Sequence, residues 1–297
     1  MDKYLIINAD DFGMCKAGNI ATQQLLECGG VTSATIMTPC GWALEAIRYA
    51  IAHPEFAIGV HLTTTSEWKN YRWRPIADGT PSLRDEEGYM WHESDQFEEH
   101  ADLEEAKKEI RAQIDFVKNL GLEPSHIDNH MGSMYGIETG RDELLEEVLK
   151  IAAEYKLPFR LPSKFNDSQI NNSTFGIKIP LALLQMVLAQ MGELARENNV
   201  VILDYLMAHE TKSPQGDSFE QYQEYMMNHI STIPEGFSEM YIHPAIESDE
   251  IKGISNAWRY RVWEHKIFMD PKTRQHIDSC GIKLINYRDL AKLRGVK

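Results

Sequence analysis

Short apolar runs alternate along this sequence with longer stretches in which apolar residues recur every three or four positions. The short runs are typical of β-strands and the longer stretches of amphipathic helices. Strands that alternate with helices form βαβ units. Eight predicted strands fit a closed (β/α) barrel, which typically needs about 250 residues, better than an open sheet. The sequence therefore predicts an α/β protein with a (β/α) barrel, as one domain over residues 1–297. The predicted strands are Tyr4–Asn8, Ser33–Met37, Ala57–Leu62, His126–His130, Phe159–Pro162, Val200–Tyr205, Glu239–His243 and Ile282–Tyr287.

The clearest helix pattern covers Leu103–Leu120. Asp102 and Glu105 have the spacing of a capping pair, and Gly121 stands where a helix commonly ends. An insertion rich in acidic and aromatic residues, Thr63–Asp102, separates this helix from the third predicted strand.

Hydrophobic residues make up 43% of the chain and charged residues 25%, the balance of an ordinary globular protein. The formal net charge of −15 argues against nucleic acid or an anionic membrane as a partner, because binding phosphates requires clustered Lys and Arg. No signal peptide or membrane-spanning run is visible. The four cysteines lack the spacing of a metal site and the density of a secreted scaffold, so we expect a reducing, cytoplasmic location.

Two adjacent carboxylates, Asp10 and Asp11, follow the first predicted strand. Bare carboxylates this close raise each other's pKa, and a cation beside them removes that penalty. If one carboxylate binds a cation, the other can act as a base next to it. A simple turn is the alternative, because Asp and Gly favour strand exits.

Histidine ends three further predicted strands, at His61, His130 and His243. Strand alternation places His126, Asp128 and His130 on one face, but about 13 Å separates the two histidines at roughly 3.3 Å per residue, so they cannot hold one ion. His130 is therefore the candidate ligand, Asp128 an interior supporting or packing group, and His126 a structural residue. For each strand-end histidine taken alone, the alternative is a side chain held by the backbone or capping a loop.

The carboxyl ends of parallel strands meet on the face of a barrel that carries active sites. An Asp and two His from three such ends, with positions left for water, describe a catalytic metal site rather than a closed structural one. These ligand types suit Mg²⁺, Mn²⁺, Zn²⁺ or Fe²⁺, and the sequence does not choose among them.

The same segments resemble the YdjC/ChbG family of carbohydrate deacetylases. The resemblance implies a distorted TIM-like barrel, often dimeric, in a hydrolase that removes acetyl groups from N-acetylated sugars such as chitooligosaccharides. The matching pieces are Leu5–Gly13, Gly30–Ser33, Ile58–Leu62, Pro124–His130 and His243–Pro244.

Site roles follow from the resemblance position by position. It implies that one divalent ion, Mg²⁺ or Zn²⁺ with Mn²⁺ as a further candidate, is held by Asp11, His61 and His130. It also implies Asp10 as the base and His243 as the acid. After His130 the family commonly continues with further histidines, whereas this chain has Met131–Met134 at that position.

Three tryptophans lie in the insertion, at Trp68, Trp73 and Trp91. Aromatic rings have flat apolar faces suited to stacking on a sugar, so we expect them, together with Arg261, to bind substrate. The alternatives are that the rings pack the insertion onto the barrel or form a dimer contact, and that Arg261 and Glu264 form an ordinary helix-surface pair.

The predicted reaction is hydrolysis of a sugar acetamide. An ion-activated water attacks the carbonyl, Asp10 takes its proton, and His243 protonates the leaving amine. The expected partners are a small carbohydrate substrate and a second copy of the chain. Two other classes share these features: a non-haem Fe(II) oxygenase with two His and one carboxylate, and a sugar-binding protein without turnover.

Overall fold

The computed structural model describes residues 2–165, 181–209 and 218–295. The strands in that part of the chain are β1 Lys3–Phe12, β2 Ser33–Ile36, β3 Ala57–Leu62, β4 Ile127–Asn129, β5 Tyr205–Leu206, β6 Gly236–Ile242 and β7 Ile282–Leu284. The helices are α1 Lys16–Cys28, α2 Ala43–Ala52, α3 Ser94–His100, α4 Leu103–Asn119, α5 Asp142–Tyr155, α6 Leu181–Glu197, α7 Phe219–Ser231, α8 Asp249–Ile254, α9 Trp258–Met269, α10 Pro271–Ser279 and α11 Tyr287–Leu293. Short 3₁₀ turns occur at Pro81–Leu83 and His130–Gly132.

The named strands pair in parallel in the order β4-β3-β2-β1-β6-β5, and β7 pairs with the first residues of β1. Isolated bridges join Ile127 to Phe159 and Pro162 to Leu203, so the segment 159–162 spans the space between β4 and β5. The curled sheet with its surrounding helices is a distorted TIM-like barrel. The predicted fold is confirmed.

Several predicted strand bounds were wrong. The first strand continues to Phe12, so the two carboxylates lie within β1 rather than after it. The segment Phe159–Pro162 makes isolated bridges instead of a strand, which accords with Pro162 having no N–H for a ladder. Within Val200–Tyr205 the strand begins only at Tyr205, and Tyr287 begins α11 instead of ending a strand.

The alternation of β1 separates an outer layer from an inner one. Leu5, Ile7 and Ala9 belong to the main hydrophobic core, whereas Ile6 belongs to a smaller cluster with Tyr287. The next residues on the same face of β1 as Ile6 are Asn8 and Asp10, which are polar and also buried. The barrel interior is therefore apolar near the start of β1 and polar near its end, where the site lies.

The insertion ends where α4 begins. The Asp102 carboxylate accepts hydrogen bonds from the backbone N–H groups of Glu104 and Glu105, at 2.9 and 3.1 Å, so it is the N-cap. The Glu105 carboxylate accepts from Ser82 in the insertion instead, and the reciprocal capping pair does not form. In the part of the chain described here, no helix is long and apolar enough to cross a membrane.

Candidate active site

A bulge in β1 brings both carboxylates to one side of the sheet. The pairing of β1 with β2 runs from Ala9 opposite Ala34 to Phe12 opposite Ile36, so β1 has one extra residue there. Asp11 takes up the bulge with a φ of 61°, a left-handed conformation that Asp adopts more readily than most residues. Asp10 and Asp11 are each only 4% exposed.

Arg160 neutralises Asp10. Its Nη1 and Nη2 donate to Asp10 Oδ2 and Oδ1 at 2.7 and 2.6 Å. Burial alone would raise the pKa of Asp10, but the Arg160 guanidinium outweighs it and lowers the pKa to about 2. Nη2 also lies 2.8 Å from Asp128 Oδ2, and Nε donates to Glu239 at 2.7 Å. Burial raises the pKa of Glu239 to about 7 against the opposing effect of Arg160.

Asp11 meets a different cation. Its Oδ2 lies 2.7 Å from Nη1 of Arg261, which together with nearby histidines outweighs burial and holds the pKa of Asp11 well below its usual range. Its Oδ1 is buried without a hydrogen-bond partner and lies 3.6 Å from Nε2 of His61. Of the two carboxylates, Asp11 is the one with an oxygen available to an ion.

The two candidate imidazoles are oriented in the same way. His61 Nδ1 lies 2.6 Å from Asp128 Oδ1, and His130 Nδ1 lies 2.8 Å from Thr65 Oγ1. Burial alone would lower the pKa of His61, but the Asp128 and Asp10 carboxylates raise it to about 9. Each ring has its Nδ1 engaged and its Nε2 left for another partner, and the ring centroids are 5.5 Å apart.

His243 follows β6 on the same face of the barrel. Its backbone N–H donates to Glu264 Oε2 at 2.7 Å, and the other oxygen of Glu264 lies 2.8 Å from His209 Nε2. Burial lowers the pKa of the His243 imidazole, although Asp11 opposes the effect. Burial thus disfavours the charged form of this ring.

Two carboxylate–imidazole groups are candidates for holding an ion. Among the described residues, Asp10, His61 and Asp128 have ligand atoms within 4.8 Å of one another. The ligand atoms of Asp11, His61 and His130 do not all lie within this distance of one another. Binding an ion between them would therefore require at least one side chain to move inward.

The two groups differ in their hydrogen bonds. Both oxygens of Asp10 accept from Arg160, and those of Asp128 contact His61 and Thr35. A dication there would displace these contacts. Asp11 Oδ1 is unpartnered and lies 3.6 Å from His61 Nε2, so an ion could bind there without displacing a hydrogen bond. A carboxylate and two imidazoles are ligand types that fit a divalent ion once a side chain moves inward.

The predicted substrate-binding residues occupy different environments. Trp68 is partly exposed, with its Nε1 buried and unpartnered and its ring 5.9 Å from the Arg261 guanidinium. Trp73 is only 4% exposed, donates to the Thr65 carbonyl and packs edge-on to His130. Trp91 donates to the Ser82 carbonyl within the insertion and stacks on His100. Trp68 is thus the best placed of the three tryptophans to meet a ligand.

Arg261 and Glu264 are not a helix-surface pair. Both are buried, and they extend from α9 to Asp11 and to the His243 backbone respectively. The i, i+3 spacing that suggested a surface pair instead places two side chains on the buried face of one helix. His126 is buried against Tyr287, with ring centroids 3.7 Å apart.

Sequence reasoning missed Arg160 and Glu239. Both lay inside predicted strands, where a charged residue in an apolar run is itself a signal, because such residues are seldom fully buried without a partner. Nothing in the sequence shows that Arg160 contacts Asp10, Asp128 and Glu239 together.

The comparisons with known proteins agree with this fold over nearly the whole chain. The sequence model of the YdjC-like protein family matches residues 4–279. A carbohydrate deacetylase of Enterococcus faecalis is 32% identical over 297 residues, covering 98% of this chain and 99% of that protein. A chitooligosaccharide deacetylase of Yersinia enterocolitica is 26% identical over 294 residues, covering 97% of this chain and 100% of that protein.

A solved structure is also similar. The crystal structure of an Enterococcus faecalis protein, whose name provisionally assigns it to cellobiose-phosphate cleavage, superposes with a TM-score of 0.74 at 31% identity. The match covers 98% of this chain and 99% of that one. Fold and site together define a distorted (β/α)-barrel protein with buried carboxylates and imidazoles at its strand ends. This chain belongs to the YdjC-like family.

Proposed function

We propose that this protein is a metal-dependent hydrolase that removes acetyl groups from N-acetylated sugars of the chitooligosaccharide type. One observation carries the proposal: of two adjacent buried carboxylates, Asp10 is bound to Arg160 through both oxygens, while Asp11 keeps one oxygen free beside His61 Nε2. The first is suited to proton transfer and the second to an ion. The relatives named as carbohydrate and chitooligosaccharide deacetylases support the substrate and reaction class.

Asp11, His61 and His130 are the proposed ligands of one divalent ion, Mg²⁺ or Zn²⁺, with Mn²⁺ as a further candidate. When bound, the ion would supply Lewis-acid chemistry, lowering the pKa of water and polarising the acetyl carbonyl. Asp128 and Thr65 each fix one imidazole through Nδ1, which is the outer contact that orients metal-binding histidines.

Asp10 is the proposed general base. Arg160 keeps it ionised at neutral pH, so it is always ready to accept a proton from the attacking water. The same ion pair makes the protonated form unfavourable, because the pKa is held at about 2. Asp10 therefore holds a proton only weakly and passes it on readily.

His243 is the proposed general acid. An amide nitrogen leaves only as an amine, so it must be protonated as the carbon–nitrogen bond breaks. Because burial disfavours the charged His243 ring, the proton that Asp10 takes from water must reach His243, which then passes it to the leaving amine. The Glu264 carboxylate fixes the backbone of His243 and so holds the ring in place.

Substrate contacts are assigned with different roles. Trp68 is proposed to contact the sugar, because its Nε1 is an unused donor near Arg261. Arg261 is proposed to act at the reacting end of the substrate while it holds Asp11. Trp73 and Trp91 are proposed to form the wall behind His130 and to hold the insertion in place.

The test is acetate release from N-acetylated mono- and disaccharides by metal-stripped and metal-restored protein. We expect release only after an ion is restored, and equal rates with and without oxygen. Saturable sugar binding without acetate would instead identify a binding protein, and a requirement for Fe²⁺ and O₂ would identify an oxygenase. Parallel assays on O-acetylated sugars separate ester from amide hydrolysis.

A further inference from the structure

Glu67 lies beside His130, one of the proposed ion ligands, and has no role in the assignment above. It belongs to the loop that follows β3, and its side chain is 16% exposed. Its Oε1 lies 3.5 Å from His130 Nε2, and its Oε2 is buried without a hydrogen-bond partner. A carboxylate withdrawn from water with an oxygen unpartnered is costly unless a cation is nearby.

The pair of Glu67 and His130 repeats the geometry of Asp11 and His61. The separations between carboxylate oxygen and Nε2 are 3.5 and 3.6 Å, and each carboxylate has one buried oxygen without a partner. Such separations are long for a hydrogen bond. Two ligands about 2.1 Å from one ion are roughly 3.0–3.4 Å apart at right or tetrahedral angles, close to these values.

The loop that carries Glu67 is fixed to the same histidine. Thr65 Oγ1 lies 2.8 Å from His130 Nδ1, and the Thr65 carbonyl accepts from Trp73 Nε1 at 2.8 Å. The next residue, Ser66, donates its backbone N–H to the Trp91 carbonyl at 2.7 Å. The two residues before Glu67 are therefore held in place by hydrogen bonds, which limits where its side chain can lie.

We propose that Glu67 is a fourth protein ligand of the divalent ion, bound through its carboxylate. The inference rests on the proposed centre formed by Asp11, His61 and His130. Two carboxylates then balance the charge of a dication. Four protein ligands with room for water and substrate make a six-coordinate site, which suits Mn²⁺ or Mg²⁺ better than the tetrahedral sites typical of Zn²⁺.

The test is calorimetric titration of Mn²⁺ into the metal-stripped, full-length protein. Glu67→Gln keeps the shape of the side chain and removes its charge, and we expect it to weaken Mn²⁺ binding by at least about tenfold. Glu86→Gln is the matched control, because Glu86 is an exposed acid of the same insertion. It should bind Mn²⁺ as the wild type does.

Wild-type Mn²⁺ affinity in Glu67→Gln would overturn the assignment of Glu67. If the wild type binds one ion that Asp11→Asn loses and Glu67→Gln keeps, only this inference fails. If the wild type binds no ion, the proposed function fails with it. Circular dichroism of the metal-free variants checks folding. Should Glu67→Gln not fold, Glu67→Ala replaces it, because it also removes the carboxylate, and wild-type affinity there would equally overturn the inference.

Discussion

Asp10 and Asp11 are neighbours in sequence and equally buried, yet they contact different arginines. Arg160 occupies both oxygens of Asp10, whereas Arg261 leaves one oxygen of Asp11 unpartnered. The two side chains therefore differ in environment because of their partners and not because of residue type, which is why we propose different roles for them. This division can be tested one residue at a time.

Asp10→Asn should retain the ion and lose turnover. Because the amide cannot take a proton from water, we expect kcat to fall by roughly 10²- to 10⁴-fold, as for loss of a general base. The ion content of the purified variant and its kcat for acetate release are measured side by side. An unchanged kcat would remove Asp10 from the proton transfer.

Arg160→Met should destabilise the fold strongly. It leaves Asp10, Asp128 and Glu239 buried without their shared cation, and breaking a buried ion pair typically costs roughly 3–5 kcal/mol. Urea unfolding gives the free energy of unfolding. The control is Arg111→Met, whose partner Glu154 is exposed and whose loss should cost at most about 1 kcal/mol. Equal losses in the two variants would contradict the role of Arg160.

At the scale of elements, the polar residues of several strands occupy the alternate positions that face the inside of the barrel. In β1, Asn8 and Asp10 point to the inside of the barrel, and the same alternation governs the polar residues of β2 and β3. The sequence shows this alternation, so the strand-end Asp and His residues could be predicted as a group. It does not show the bulge in β1, because the register between strands depends on pairing with Ser33–Ile36.

A buried histidine on α7 leads to a prediction about how the stability of the protein depends on pH. On this helix, the His229 Nε2 lies 3.2 Å from the Met207 carbonyl, which is uncharged. Burial, aided by His209, lowers the pKa of His229 to about 4. The folded state therefore disfavours the charged ring. Below a pH of about 6.5 the unfolded chain binds this proton first, so stability falls as the pH drops from about 6.5 to 4, by at most about 3 kcal/mol.

His229→Gln removes the titrating ring and keeps a donor for the Met207 carbonyl. The difference in free energy of unfolding between wild type and variant, measured by urea at pH 7, 6, 5 and 4, should shift in favour of the variant as the pH falls. Carboxylates titrate equally in both proteins and cancel in the difference. A pH-independent difference would show that His229 does not titrate as described.

For the whole molecule, the fold class could be predicted from alternating strands and helices, while the site could be predicted only in part. Asp10, Asp11, His61 and His130 were visible because they stand at or near strand ends. Arg160, Glu239 and Glu67 were not, since their partners come from strands and loops far apart in the chain. Which charges meet depends on the radius and register of the closed sheet, and no local pattern encodes either.

An ion that joins several strand ends should stabilise the whole protein. Binding only to the folded state adds about 2.7 kcal/mol when the free ion is at about 100 times Kd, which corresponds to a rise of roughly 5–10 °C in Tm. Thermal unfolding of metal-stripped protein with and without Mn²⁺ measures this. Asp11→Asn should show little or no rise, and an equal rise in that variant would place the ion elsewhere.

The positive φ of Asp11 determines which substitution can test the role of its carboxylate without straining the backbone. Alanine there would delete a carboxylate and also force an ordinary side chain into a backbone shape that costs roughly 1–2 kcal/mol, so lost activity would have two causes. Asparagine tolerates that shape and changes only the charge. The bulge thus makes an alanine substitution ambiguous at a proposed ion ligand, and its backbone shape favours glycine and short polar side chains at this position.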